Sequence, residues 1–210
     1  MSTTYSNNKN LMDKLMKTEK EIHSWLKESL TEGRYLHVIG AEEAARGLAE
    51  RFGADPDAAA LAALLHDNAK CYSVKELLEM IKKHDIPVTE MELSSYKTLH
   101  APVGAYIAQH ELGVDDQDIL NAIRYHSIGR IHMSLLEKIV FLADKIEENT
   151  RPSEFINKLK TALDETGNID AALIICYDST IRRLLDRRLF INTQTVDVYN
   201  ELLRMLDSAT

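Results

Sequence analysis

The chain has 210 residues, 45% apolar and 28% charged, with a formal net charge of −8, which is the composition of an ordinary soluble globular protein long enough to bury a sizeable core. It carries no long basic tract of the kind that binds nucleic acid, no apolar run approaching the length of a membrane span, and no signal-peptide h-region in its first ten residues. Its two cysteines, Cys71 and Cys176, are too few for a disulfide framework or a Cys-rich zinc site, so the cytoplasm is the default compartment.

Residues 1–10 (MSTTYSNNKN) are polar and predict a flexible N-terminus, leaving 11–210 as a single domain. Residues 11–30 read as a first amphipathic helix, broken by Thr31-Glu32-Gly33, and Arg34 to Phe52 as a second, stopped by Gly53. Asp55-Pro56-Asp57 supplies a capping Asp and a Pro at the first helical position, and the Ala/Leu-rich helix that follows runs to about Ala69. Further helices are predicted near 73–84, 90–98, 100–112, 115–127, 134–148, 153–166, 168–187 and 195–207. Gly113 ends one of them, Asp115-Asp116 opens the next, and Ser134-Leu135-Leu136-Glu137 reads as a capping box. Alternating Val/Ile-rich runs are lacking. The expected fold class is all-α, a helical bundle with a C-terminal helical extension after Gly167.

Several polar residues fall on the apolar stripes of these helices, where a polar group costs free energy unless partnered. His37 is in register with Ala41, Ala44 and Leu48; His66 follows Ala59, Ala62 and Ala63; Asp67 is its neighbour at the helix end. His126 follows Ile119, Ala122 and Ile123; Asp144 lies in the run Ile139 to Ala143 and its continuation; His100 opens a stripe with Val103, Gly104 and Ile107. Any one alone is more often a core histidine bonded to a carbonyl, or an Asp paired with an Arg. Together, two inward carboxylates and four inward imidazoles with few inward cations point to one or two divalent metals, for which these are preferred donors. Adjacent His66 and Asp67 could flank one ion while the carboxylate's second oxygen reaches another. His23, His84 and His110 sit among polar neighbours and His132 in a turn, so they read as surface residues.

The order His37, His66-Asp67, Asp144 resembles that of the HD-domain metal-dependent phosphohydrolases. More closely, RYLHVIGAEEAARGLAE (34–50), LAALLHDNAK (61–70), LHAPVGAYIA (99–108), ILNAIRYHSIGR (119–130) and MSLLEKIVFLADKIE (133–147) resemble the YqeK-type branch of that family, over most of the chain from Arg34 to Ile146 and faintly to Tyr199-Asn200. The resemblance implies an HD-domain helical bundle and an iron-binding hydrolase that splits diadenosine tetraphosphate symmetrically into two ADP by a metal-activated hydroxide. It implies His37, His66, Asp67 and Asp144 as the central metal ligands, and His100 and His126 as second-metal ligands or phosphate contacts. Its nucleotide-contacting positions fall on Arg34, Lys70, Arg151 and the segment around Ile191, Asn192 and Thr195. Catalytic roles fall to Asp67 and Lys70, the latter one helical turn after His66 and within reach of a phosphate. The sequence departs from the family at Asn68, a site usually bulkier and apolar, at Ser127 in place of Thr, at Thr193 in place of Pro, and in the turn Glu147 to Arg151, one residue longer.

From the residues alone, iron, manganese, zinc, nickel and cobalt all suit the donor set. The implied partner is a nucleotide with a polyphosphate chain, with no nucleic acid and no membrane, and a homodimer is compatible with the sequence. Two other readings use the same scaffold: hydrolysis of another nucleotide (a dNTP, a nucleoside monophosphate or a guanosine alarmone), and nucleotide binding without turnover.

Overall fold

The structure is a computed structural model that describes residues 17–207, and the described residues form helices and turns with no strand. The expected flexible segment 1–10 and the opening of the first predicted helix, 11–16, lie outside them. The helices are α1 (Glu19–Ser29), α2 (Glu32–Phe52), α3 (Pro56–Leu65), α4 (Val74–His84), α5 (Glu90–Leu93), α6 (His100–His110), α7 (Gln117–Tyr125), α8 (Leu135–Ile146), α9 (Ser153–Thr166), α10 (Ile169–Asp186) and α11 (Thr193–Asp207). A 3₁₀ turn, Tyr96–Thr98, precedes α6.

Helix α3 is the centre of the bundle. Every residue from Ala59 to Leu65 is buried, and a helix that is apolar on all sides must be surrounded. Helices α2, α7 and α8 surround it. Its alanines at 59, 60, 62 and 63 add little bulk, which lets these neighbours come close. Helices α9, α10 and α11 pack behind α8 as a C-terminal layer, and α4 packs on α6 around a smaller apolar cluster containing Leu77, Ile81, Val103 and Ile107. Each fully buried Leu or Ile in this core contributes about 1.5–3 kcal/mol. Buried His and Asp side chains work against that gain, so their presence at the centre calls for a reason beyond stability.

Several predicted boundaries shift. Thr31 does not begin a three-residue break: its hydroxyl accepts from Arg34 N at 3.4 Å and caps α2, with Glu32 and Gly33 inside the first turn. The helix expected to reach Ala69 stops at Leu65. Beyond it the backbone tightens to i→i+3 bonds, with Asn68 N donating to Leu65 O at 3.1 Å and Lys70 N to Asp67 O at 3.0 Å. The helix expected over 90–98 splits at Ser94-Ser95, where the Ser94 hydroxyl takes the Glu90 carbonyl at 2.9 Å in competition with the helix ladder.

One glycine shapes the approach to the site. Gly129 has φ +73°, and a Cβ there would lie 2.0 Å from the Tyr177 hydroxyl. That hydroxyl donates to Ile128 O at 3.1 Å, while the Tyr177 ring stacks on Phe141 with centroids 4.9 Å apart. The turn after His126 is thereby locked onto α8 and α10.

Candidate active site and metal centre

The six inward residues predicted from the sequence meet at one place, and each is nearly inaccessible: His37 2%, His66 1%, Asp67 2%, His100 4%, His126 2% and Asp144 6% exposed. They form two linked groups. In the first, His37 Nε2 lies 3.2 Å from His66 Nε2, 3.0 Å from Asp144 Oδ1 and 3.7 Å from Asp67 Oδ2. In the second, His100 Nε2 lies 3.0 Å from His126 Nε2 and 3.1 Å from Asp67 Oδ1, with His126 3.5 Å from the same oxygen. Asp67 therefore gives one oxygen to each group.

The other ring nitrogen of each histidine is occupied. Nδ1 of His66 donates to Ala63 O at 2.5 Å, that of His100 to Lys97 O at 2.9 Å, and that of His126 to Ile123 O at 2.8 Å. A carbonyl only accepts, so these rings carry their hydrogen on Nδ1 and a lone pair on Nε2. Burial drives the His66 imidazole down to about 3 and His100 to about 4, against the opposing pull of Asp67, so both are neutral at physiological pH. Neutral rings in that tautomer cannot hydrogen-bond to one another through Nε2. In the His100–His126 pair both rings are anchored this way, so lone pair meets lone pair in a dry site beside a carboxylate oxygen, an arrangement that a shared cation relieves. Imidazole nitrogens and carboxylate oxygens within 4.8 Å of one another fit a divalent metal in both groups, His37–His66–Asp67 and Asp67–His100–His126.

Both aspartates are ionised. Burial alone would raise Asp67, but the imidazoles packed around it, His66 foremost and then His100 and His126, hold it well below the usual carboxylate range. Asp144 is likewise held low against burial, chiefly by Lys145, then by His37. Cations surround them. Arg34 Nη1 is 2.7 Å from Asp67 Oδ2, Arg151 Nε donates to Asp144 O at 2.7 Å while its Nη2 pairs with Asp144 Oδ1, and Lys145 Nζ pairs with Asp144 Oδ2. The Lys70 side chain is exposed. Surrounding protein still lowers its pKa, with Asp67 opposing and Arg34 adding to the fall, so its ammonium shares this electrostatic neighbourhood.

The predicted C-terminal contacts behave differently. Asn192 and Thr195 are buried and Ile191 half-buried; Asn192 caps α11, its Oδ1 accepting from Gln194 N at 3.0 Å. None of the three bonds to the histidine cluster. Asn192 helps line a cavity of about 740 Å³ with Arg130, Gln194 and Arg204 that includes none of the six inward residues. A smaller cavity of about 440 Å³, lined by Gly40, Arg51, Glu147 and Lys160, also lacks all six. Arg130 points elsewhere, forming a two-pronged pair with buried Glu137.

Four residues at the site were given no role from the sequence. Lys145 in the last turn of α8 and Glu147 at its C-cap are charged residues that look like a solvated helix end. Glu147 is 1% exposed and meets His37 Nδ1 at 3.0 Å. Ser127, noted only for its hydroxyl, lies 3.0 Å from His126 Nε2 and 3.2 Å from His100 Nε2. Asn68, the departure beside the dyad, is fully buried and donates to Gly104 O at 3.0 Å, tying the His66-Asp67 turn to the helix that carries His100.

Comparison with known proteins agrees with this geometry. The HD domain family model matches residues 34–149. A symmetrical bis(5'-nucleosyl)-tetraphosphatase of Halalkalibacterium halodurans is 41% identical over 180 residues, 85% of this chain and 93% of the relative. One of Bacillus subtilis is 40% identical, covering 87% of this chain and 96% of the relative. A crystal structure of a predicted HD superfamily hydrolase involved in NAD metabolism from Clostridium acetobutylicum superposes with a TM-score of 0.85 at 33% identity, over 90% of this chain and 99% of the other.

Proposed function

The chain belongs to the HD domain family, and from that premise we propose that it is a symmetrical bis(5'-nucleosyl)-tetraphosphatase, hydrolysing diadenosine tetraphosphate to two ADP. Two relatives of that activity at 40–41% identity over nearly their full length support the substrate. The single structural observation that carries the chemistry is Asp67, whose two oxygens face two separate histidine pairs.

The protein is a divalent-metal hydrolase, and we assign His37, His66, Asp67 and Asp144 to one ion and Asp67, His100 and His126 to a second. Bound there, divalent metals supply Lewis acidity and lower the pKa of water. The chain's own residues do the rest. Nδ1 bonds hold the imidazoles with Nε2 facing inward, and burial keeps bulk water from the ring nitrogens and carboxylates. Arg34, Lys70, Lys145 and Arg151 set positive charge around the aspartates, where it meets the polyphosphate of a substrate despite the −8 net charge of the whole chain. Lys70 contacts the transferring phosphoryl group, and the phosphate chain lies beside His37, His100 and His126. Water adds across one P–O–P bridge at an inner phosphorus, and each product leaves as ADP. The segment Ile191, Asn192 and Thr195 is assigned to the nucleoside end of the substrate.

Iron is the resident metal in this reading, with manganese, zinc, nickel and cobalt accepted by the same donors. The working unit is residues 11–210 as one HD-type domain, without nucleic acid or membrane as partner and able to pair as a homodimer. No helix among the described residues is long and apolar enough to cross a membrane. The two thiols, Cys71 and Cys176, are free, which suits a reducing compartment, and we assign the enzyme to the cytoplasm.

The test is product analysis by anion exchange with diadenosine tetraphosphate as substrate, beside dNTPs, nucleoside monophosphates and a guanosine alarmone. ADP as the main product is expected. ATP plus AMP, or faster turnover of any other nucleotide in the panel, overturns the assignment.

A further inference from the structure

Three of the four imidazoles at the centre are anchored alike, by the carbonyl three residues earlier in their own segments. They can be, because each stands where a helix begins or ends. His37 stands inside α2, where the ladder already uses the carbonyls, so its Nδ1 must find a partner on another element. The nearer partner is Glu147 at the C-cap of α8, with Oε1 3.0 Å away, and the Thr150 hydroxyl lies at 3.4 Å.

Glu147 is an unusual residue to find there. A carboxylate at a helix C-terminus opposes the helix dipole, and burying it costs several kcal/mol unless it is well partnered. Here it is well partnered. Oε2 accepts from Asn149 N at 2.8 Å and Thr150 N at 3.1 Å, and Oε1 also accepts from the Thr150 hydroxyl. The side chain of Asn149 donates to Leu36 O at 2.8 Å, pinning this turn to α2 one residue before His37. Gly40 leaves the space: a Cβ there would lie 2.7 Å from Glu147 Oε2 and 2.8 Å from Asn149 Nδ2. The turn that is one residue longer than expected thus builds a cradle for a carboxylate whose Oε1 faces the His37 ring nitrogen, with Arg151 Nε 3.7 Å from the same oxygen.

We propose that Glu147 is the positioning residue of the metal centre, holding His37 as the Nδ1–H tautomer so that its Nε2 lone pair faces Asp67 and Asp144, and making this imidazole a more strongly donating ligand than the three anchored on carbonyls. The proposal rests on the metal-centre reading above. An ionised acceptor behind a histidine raises its strength as a ligand, and losing such a partner typically lowers metal affinity 10–100-fold.

Two measurements test it without turnover. In metal-free protein, two-bond ¹H–¹⁵N spectra of the histidine rings report the tautomer: wild type should show His37 protonated at Nδ1, E147Q should retain that state through its amide oxygen, and E147A should lose it. With Mn(II) alone as the probe and free Mn(II) read by electron paramagnetic resonance, E147A should bind about 10–100-fold more weakly, with E147Q between it and wild type. G40A, which crowds the carboxylate without removing it, should weaken binding in the same direction. E92Q, which alters a different buried carboxylate, should leave Mn(II) affinity unchanged. Should E147A fail to fold by circular dichroism, E147Q and G40A carry the test. Wild-type Mn(II) affinity in the folded Glu147 variants, or a wild-type His37 protonated at Nε2, overturns the proposal. If the ranking holds while wild type forms no ADP, Glu147 is supported and the tetraphosphatase reading is the one that fails.

Discussion

Asp67 turns Oδ1 to His100 at 3.1 Å, so the dyad aspartate serves the group containing His100 and His126 as well as the one beside its own neighbour His66. Asp67→Asn keeps the shape and volume but leaves one acceptor oxygen and puts an N–H₂ toward one pair of histidine lone pairs. The expected result is loss of bound metal and a fall in turnover on the order of 10³-fold or more, since metal assistance supplies several kcal/mol of transition-state stabilisation. Far-ultraviolet circular dichroism should stay unchanged. Retained turnover in D67N would remove the shared-carboxylate scheme.

Most of that centre was legible because its residues break a pattern. His37, His66, His126 and Asp144 interrupt apolar stripes of 3.6-residue period, and the helices that carry His37 and Asp144, or end on His66 and His126, are among those the pattern predicts. Glu147 and Lys145 interrupt no apolar stripe, since both stand at the end of α8 beyond the stripe that Asp144 breaks. The contact between Glu147 and His37 spans 110 positions, beyond the reach of any periodicity. The early end of α3 was hidden for a different reason: the Ala63 carbonyl is taken by the His66 ring and backbone, a local competition that helix propensity does not register.

Glu92 gives a stability prediction away from the site. It is 3% exposed and held by Arg124 through two bonds, 2.6 Å to Oε1 and 3.0 Å to Oε2. Burial would raise its pKa, but Arg124 and then the Thr89 cap overcome that and lower it. A depressed folded pKa stabilises the fold above the unfolded value of about 4.3 and loses that contribution as pH falls through the folded value. Arg124→Met leaves the carboxylate buried and unpaired, which should cost about 3–5 kcal/mol at pH 7. With the cation gone the pKa of Glu92 rises, so acid should destabilise R124M less than wild type and the two melting curves should converge below pH 4. Parallel pH profiles would contradict this account of the pair.

Gly129 and Tyr177 should be energetically coupled. Gly129→Ala places a methyl 2.0 Å from the Tyr177 hydroxyl at φ +73°, combining a left-handed penalty of about 1–2 kcal/mol with a steric clash. Tyr177→Phe removes the hydroxyl and its bond to Ile128 O, a loss of about 1 kcal/mol. Because the second change relieves the clash of the first, the double variant should be more stable than the sum of the two losses by about 1 kcal/mol or more. Additive losses in urea denaturation would mean that the turn moves instead of clashing.

Metal should also stabilise the fold, and the size of the effect distinguishes a catalytic centre from a purely structural one. An ion that binds only the folded chain adds RT ln(1 + [M]/Kd), about 2.7 kcal/mol at a hundredfold excess over Kd. For a chain of this size each kcal/mol moves the melting temperature by roughly 2–4 °C, so Mn(II) added to chelated protein should raise it by roughly 5–11 °C. The core around α3 and the smaller cluster between α4 and α6 are built from apolar side chains packed on one another, so the chelated protein should still melt cooperatively. D67N should show the chelated melting temperature with or without Mn(II). A chelated wild type that has no cooperative transition would make the ion a structural element on which the helices depend, and the catalytic reading would then rest on the ADP assay alone.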